Sequence, residues 1–397
     1  MAMKYRRFGR TEIQIPLISV GGMRFQTSWK RDDAVKSESI ENLEKIVAHA
    51  VELGLYHFET AHGYGTSEEE LGPVLSQYDR DSLILQTKCE PKDDIKEFLN
   101  DLETSMKCLR VDRLDLLGIH GVNNDEILQK VLRKGGVLEE VLKLKEQGVI
   151  GAVGFSSHGS PAMITRAVQT DAFDYVNLWH SYIYPFNLPA IAEATKHDMG
   201  VFIISPNDKG GMLYDPPEKL CRLTAPLSPM TFNDVFILSN PNIHTISCGA
   251  AKPSDFDEHV AAVEQMDSLT DAVEEIRQRL DGEMEKVFDA DWAHHYLKGV
   301  PDWSQTPEGL NIFIVVWLWN LVKAFDLKKY AQMRYNLMGN AEHWFPGCKP
   351  EAHAKIDPKA LRQSLDASPY ADRIMDILEE AYDLMKAEEV NRLSQED

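Results

Sequence analysis

The sequence predicts an α/β protein: a (β/α)8 TIM barrel over residues 1–268, followed by a C-terminal α-helical domain over residues 269–397. Three observations carry this. Short, nearly unbroken apolar runs alternate with longer amphipathic segments, as buried parallel strands and their crossover helices require. Eight such pairs fit before residue 268, about the size of a single barrel of this kind. No GxGxxG follows an early apolar run, and a doubly wound dinucleotide-binding sheet would normally show one.

The elements follow in order. Lys4–Phe8 and the following GRTEIQIP read as a hairpin closing the bottom of the barrel. The strands are read at 17–20, 56–59, 83–88, 114–120, 152–156, 175–178, 201–205 and 245–248. Between them, SESIENLEKIVAHAVELG, KEFLNDLETSMKCL, LEEVLKLKEQG, AMITRAVQ, LPAIAEATKHDMG and SDFDEHVAAVEQM repeat apolar residues every three or four positions, the spacing of a helix with one buried face. Gly54, Gly148 and Gly200 read as helix stops. Beyond residue 268 a charged helical link over 271–291 leads into an aromatic, loop-like stretch and further helices. Trp303, Trp317, Trp319 and Trp344 read as core of that domain, and the final SQED as a fraying end.

Composition narrows the function. The chain of 397 residues carries 63 acids against 42 bases, a net charge of −21. A surface that acidic repels phosphate backbones and anionic lipid, which argues against nucleic-acid and membrane partners. Cys89, Cys108, Cys221, Cys248 and Cys348 are scattered and form no CxxC, so a reducing, cytoplasmic setting is expected rather than a disulfide framework or zinc ribbon. The N-terminus shows no apolar signal core. Leu310–Val322 is too short to span a bilayer. His294, His295, His343 and His353 lack the spacing of metal ligands, and no metal is expected.

Chemistry in such a barrel gathers at the C-terminal strand ends. There the apolar runs end on polar groups: Glu59 with Tyr64 beyond it, Lys88, His120, the triplet Ser156-Ser157-His158, Asn177 and Ser205. A free tyrosine has a pKa of about 10, and a nearby ammonium should lower it. Lys88 can supply that charge, and Glu59 the counter-charge a buried lysine needs. Tyr64 as proton donor and His120 as polarising group would then serve a carbonyl that receives hydride. Ser156-Ser157-His158 could equally cap the next helix, and Gly210, Gly211 and Gly249 could be turn residues only.

These residues, with the segments KYRRFGRTEIQIPLISVGGM, FETAHGYGTSEEELG, LILQTKCEP, RLDLLGIHG, GVIGAVGFSSHG and ISCGAAKPSDFDEHV, resemble the aldo-keto reductase superfamily over residues 4–266. The resemblance implies a (β/α)8 barrel, an extended NAD(H) or NADP(H), a small carbonyl or alcohol substrate, and a tetrad on Glu59, Tyr64, Lys88 and His120. It also implies cofactor contacts. Ser156, Ser157 and Asn177 would meet the nicotinamide carboxamide, with Gly22 and Met23 near the ring. Ser205 and its loop would pass the pyrophosphate, and Gly249, Ala250 and Ala251 would offer backbone N–H groups to phosphate. Lys252 is the one base of that last loop, and Glu258 and His259 would lie near the adenine.

Three positions depart from the family pattern. Glu59 stands where aspartate is usual. Asp255 lies where an arginine is frequent, against an NADPH preference. The C-terminal region resembles the ferredoxin-like extension of one branch, in TPEGLNI and KKYAQMRYNLMGNAEHWFPGCKPEA, yet holds Cys348 alone. One thiolate cannot hold a cluster, so no iron–sulfur cluster is expected. The first expectation is an NAD(P)(H)-dependent oxidoreductase acting on an aldehyde, ketone or alcohol. The alternative is a catalytically weak nicotinamide-nucleotide-binding regulatory or interaction protein.

Overall fold

The computed structural model describes residues 3–31, 33–339 and 346–386. His343, Trp344 and the terminal SQED lie outside the described residues. Chain contacts divide it into two compact units, one of residues 1–210 and 233–270, the other of 211–232 and 271–397.

The first unit begins with β1 (Tyr5–Arg7) and β2 (Gln14–Pro16), an antiparallel hairpin. Eight parallel strands follow: β3 (Ile18–Gly21), β4 (His57–Glu59), β5 (Ile84–Cys89), β6 (Leu114–Ile119), β7 (Ile150–Ser156), β8 (Tyr175–Leu178), β9 (Gly200–Ile203) and β10 (Thr245–Gly249). They pair in chain order, and β10 pairs back onto β3 to close the barrel. The predicted (β/α)8 architecture is present, with a helical C-terminal region.

The helices form as their sequence spacing requires. In the helix Ser37–Glu52, Leu43, Ile46, Val47 and Ala50 are buried at i, i+3, i+4 and i+7, one face of a 3.6-residue period. In Ile95–Leu109, Phe98, Leu102 and Leu109 pack inward, Asp94 caps the start by accepting from the Lys96 N–H, and Arg110 ends it in the left-handed region. Gly54 and Gly148 do stop helices with positive φ. Gly200 does not. It is the first residue of β9, and a Cβ there would lie 2.6 Å from the Phe8 ring. Phe8 therefore enters from the hairpin and packs with Ile15, Leu116, Ala152, Tyr175 and Phe202, closing the lower barrel with apolar side chains.

The second unit is helical. Ile312–Phe325 is buried along nearly its whole length and packs against Lys328–Asn336 and Ala371–Met385. Trp317 and Trp319 belong to its core, but Trp303 is half-buried in a short 3-10 turn. Trp292, not singled out in the sequence, is fully buried and donates to Asn320 Oδ1 at 3.0 Å. The segment 211–232 joins this unit through an ion pair from Lys219 to Glu283 (2.8 Å) and bonds from Arg279 to the carbonyls of Leu223 and Ala225. Among the described residues no helix is long and apolar enough to cross a membrane, and no group of three His, Cys, Asp or Glu could hold a metal ion.

Candidate active site

The polar strand ends converge. Glu59, the last residue of β4, and Lys88, on neighbouring β5, are both almost fully buried. Their side chains are in direct ion-pair contact, and Lys88 Nζ also donates to the Thr60 carbonyl at 2.7 Å. Ser247 of β10 donates to the other Glu59 oxygen at 3.3 Å. Burial alone drives Lys88 well below its usual value. The touching carboxylate opposes that, since an adjacent opposite charge favours the ammonium.

Tyr64 is delivered by the loop 60–66, which is laced to β5. Thr60 N–H donates to Gln86 O (2.9 Å) and His62 N–H to Lys88 O (2.8 Å). Gly65 then turns with φ +53, where a Cβ would lie 1.9 Å from the Ser28 carbonyl, so only glycine fits. The Tyr64 ring lies with Lys88 Nζ over it, 4.7 Å from the centroid, and meets the His120 ring edge-on at 5.7 Å. Tyr64, Lys88, Glu59 and His120 are thus brought together. One expectation changes: burial pushes the Tyr64 phenol above its usual value instead of Lys88 lowering it.

The expected cofactor contacts divide into several behaviours. Asn177 on β8 is completely buried, and neither atom of its side-chain amide has a partner among the described residues. An orphaned buried amide costs about 1–3 kcal/mol, and a ligand amide is the chemistry that would satisfy it. Ser156 and Ser157 are already used: Ser156 Oγ accepts from Gly121 N–H (3.1 Å), and Ser157 Oγ donates to the Val122 carbonyl (2.6 Å). Neither caps the next helix. Ser160 does, accepting from Met163 N–H. Gly22 leaves no room for a side chain, its Cβ position lying 2.8 Å from the Glu59 carbonyl, and the half-buried Met23 follows it.

Ser205 adopts the left-handed conformation, φ +50, at the start of the short helix Pro206–Lys209. Past Gly249 and the buried Ala250, the backbone N–H groups of Ala251 and Lys252 are taken by the Asp255 carboxylate at 2.8 and 3.2 Å. The expected anion-binding turn is filled by the chain's own acid. Glu258 opens the helix Asp257–Gln265 and is exposed, but His259 is buried and its ring is engaged by Asp234 and Asn207.

Two cations went unnoticed in the sequence. Lys209 is buried, 2.7 Å from His158 Nδ1 and over the Trp179 ring. Its position just before Gly210-Gly211 was the available signal. Arg24 follows Met23, and its stem lies 3.3 Å from where a Gly249 Cβ would stand. Gly249 therefore serves as the space for that stem, beyond any turn role.

The closed parallel barrel thus brings these polar groups together at one end of its strands. Residues 17–212 match the model of the Aldo/keto reductase family. The chain is 27% identical to the (1S)-1,7-diacetoxy-luvungin A aldo-keto reductase of Citrus sinensis, over 38% of this chain and 48% of that protein. The chain thus spans about half the length of this curated relative. Among solved structures it resembles the holo form of aldo-keto reductase AKR11C1 from Bacillus halodurans, with TM-score 0.59 and 20% identity over 70% of this chain and 96% of that one. It also resembles a thermostable aldo-keto reductase, Tm1743, in complex with the inhibitor epalrestat, with TM-score 0.56 and 21% identity over 70% and 100%. At these identities the structural likeness speaks to the fold.

Proposed function

We propose that the protein is an NAD(P)(H)-dependent oxidoreductase that interconverts a small aldehyde or ketone and its alcohol, in the cytoplasm. The observation that carries this reading is Lys88 Nζ, held by the Glu59 carboxylate and lying over the Tyr64 ring, with His120 edge-on to the same ring. Nicotinamide would supply hydride. The unpartnered Asn177 amide suits its carboxamide, and Gly22, Met23 and the Ser205–Lys209 segment line the same barrel end.

This chain's residues then handle the proton. Burial keeps the Tyr64 phenol protonated at neutral pH, so it can donate to an oxygen that gains charge. His120 offers a second polar contact to that oxygen. Lys88 and Glu59 fix the floor of the site and offset each other's charge. The Asp255 carboxylate at Ala251 and Lys252 favours NAD(H) over NADP(H), because a further phosphate there would meet a carboxylate.

Tyr64→Phe tests the reading. With a carbonyl panel and both nucleotides, turnover should fall about 10²–10⁴-fold, the usual worth of a positioned general acid, with nucleotide affinity retained. Undiminished turnover would reject Tyr64 as the acid.

A further inference from the structure

We infer that His259 is a positioning residue that fastens the two nucleotide-facing loops, Ser205–Lys209 and Gly249–Lys252, into one geometry. The inference rests on the reading that a nicotinamide nucleotide binds at this end of the barrel. The His259 ring is only 1% exposed, although it sits in the first turn of the helix Asp257–Gln265. Three segments meet on it. Nε2 lies 3.0 Å from the Asn207 side-chain amide, in the loop that Ser205 opens. Nδ1 is in direct contact with the Asp234 carboxylate. The Cys248 thiol, one residue before Gly249, faces the same ring.

The sequence positions of these partners matter. Asn207 stands just before the chain leaves the barrel unit at residue 211, and Asp234 just after it returns at residue 233. Asn233 adds a bond to the Pro206 carbonyl at 3.2 Å. His259 and Asn233 therefore close the neck of the 211–232 excursion, and the neck is the Ser205–Lys209 loop itself. A nucleotide seated against that loop would feel any slackening of the neck, although His259 does not touch it.

The proton balance is consistent with a fastener held as an imidazolium. Burial pulls the ring down, but the contacts to Cys248 and Asp234 outweigh it and hold His259 well above its usual value; burial also raises the Cys248 thiol, so the charge that faces the ring is the Asp234 carboxylate. Cys248 and Asp234 are the titratable groups facing the ring from β10 and from the helix Pro229–Leu238. The Pro206–Lys209 segment offers the neutral amide of Asn207, and on the ring's own helix Asp257 is engaged by His49 at 2.6 Å. An imidazolium donates from both nitrogens. Asn207 Oδ1 has no partner among the described residues. Asn207 Nδ2 is the atom now nearest Nε2, and a half-turn of the amide gives Oδ1 the Nε2–H proton.

The test measures NADH and NADPH dissociation constants by fluorescence, and turnover at saturating nucleotide, on the full chain. His259→Asn and Asn207→Ala should each weaken nucleotide binding about tenfold, the loss of roughly one net hydrogen bond, with the folded fraction unchanged by circular dichroism. The double variant should be no weaker than either single one, since both cut the same link. Wild-type affinity should decline at higher pH than the titration of a free imidazole, and Asp234→Asn should bring that decline to lower pH. Wild-type affinity in both single variants overturns the inference. So does a loss of affinity and turnover in parallel with a lost folded fraction, which marks a purely structural role. Should His259→Asn not fold, Asn207→Ala decides by the same readouts. No binding of either nucleotide by the wild type overturns the functional reading itself, and this inference with it.

Discussion

Lys88 approaches Tyr64 through the ring, with its nitrogen 4.7 Å from the ring centre while Glu59 holds it from the other side. A cation so placed is attracted by the π face, a contact worth about 2 kcal/mol when desolvated. It steadies the ring, and burial keeps the phenol protonated.

The pH dependence follows with a definite sign. Because burial raises the Tyr64 pKa, the proton needed for carbonyl reduction is present throughout the neutral range and is lost only at strongly alkaline pH. Reduction rates should therefore stay level from neutral into mildly alkaline solution, while alcohol oxidation, which needs the deprotonated form, should climb with pH. Paired pH profiles of kcat check this. A drop in reduction centred near neutrality would mean that another group titrates.

Breaking the buried ion pair should cost stability and activity separately. Lys88→Met strands the Glu59 carboxylate, at a cost of about 3–5 kcal/mol. Adding Glu59→Leu should recover most of that stability in denaturant unfolding, yet leave turnover abolished. Glu59→Asp should lower turnover or leave it unchanged if the site is built around the longer acid. A faster enzyme would show the native pairing to be slack.

Asn177 should trade stability against affinity. Replacing its unpartnered amide with Leu removes a buried orphan and should stabilise the nucleotide-free protein by about 1 kcal/mol. The same change should weaken nucleotide binding about tenfold. Unchanged affinity would separate Asn177 from the cofactor.

Asp255 controls which nucleotide fits. Asp255→Ser frees the N–H groups of Ala251 and Lys252, which suit a phosphate. The ratio of NADPH to NADH affinity should rise about tenfold or more, since a carboxylate-to-phosphate repulsion is replaced by charge-assisted bonds. A ratio that does not move would place the nucleotide elsewhere.

Acid should unfold the protein through buried neutral histidines. Burial lowers His57 to about 3, and His180 and His244 to about 4. In the unfolded chain these rings take a proton near pH 6.5. Below that pH the unfolded state binds more protons, so stability is full above about 6.5 and declines as pH falls toward the folded values. Urea midpoints should drop between pH 7.5 and 5, and His57→Gln should flatten the slope.

Much of the barrel could be read in the sequence because its strands are short apolar runs, several of them ended by a polar side chain. Glu59, Lys88 and His120 are conspicuous for that reason, and Tyr64 for its glycines. What escaped depends on three-dimensional context. No local pattern says that the first turn of the helix Asp257–Gln265 points His259 inward, because its partners Asp234 and Asn207 are distant in sequence. Asp255 was noticed for its charge, but its capture of two N–H groups is a matter of turn geometry. The rise of the Tyr64 pKa comes from enclosure, which residue types do not reveal. Ser160 takes the cap that Ser156 and Ser157 could have filled because those two hydroxyls are spent on the loop after β6.

The division at residues 211–232 also sets a timetable. A ribosome delivers this segment before Glu283, Arg279 and Lys329, the residues that bind Lys219, the Leu223 and Ala225 carbonyls and Asp215. At about 5–20 residues per second, it waits several seconds without its own unit while β10 is made and the barrel closes. A chain ending near residue 270 would prolong that wait indefinitely. The barrel and the helical unit are therefore two structures but one synthetic event, and the second cannot be trimmed without leaving a piece of it behind.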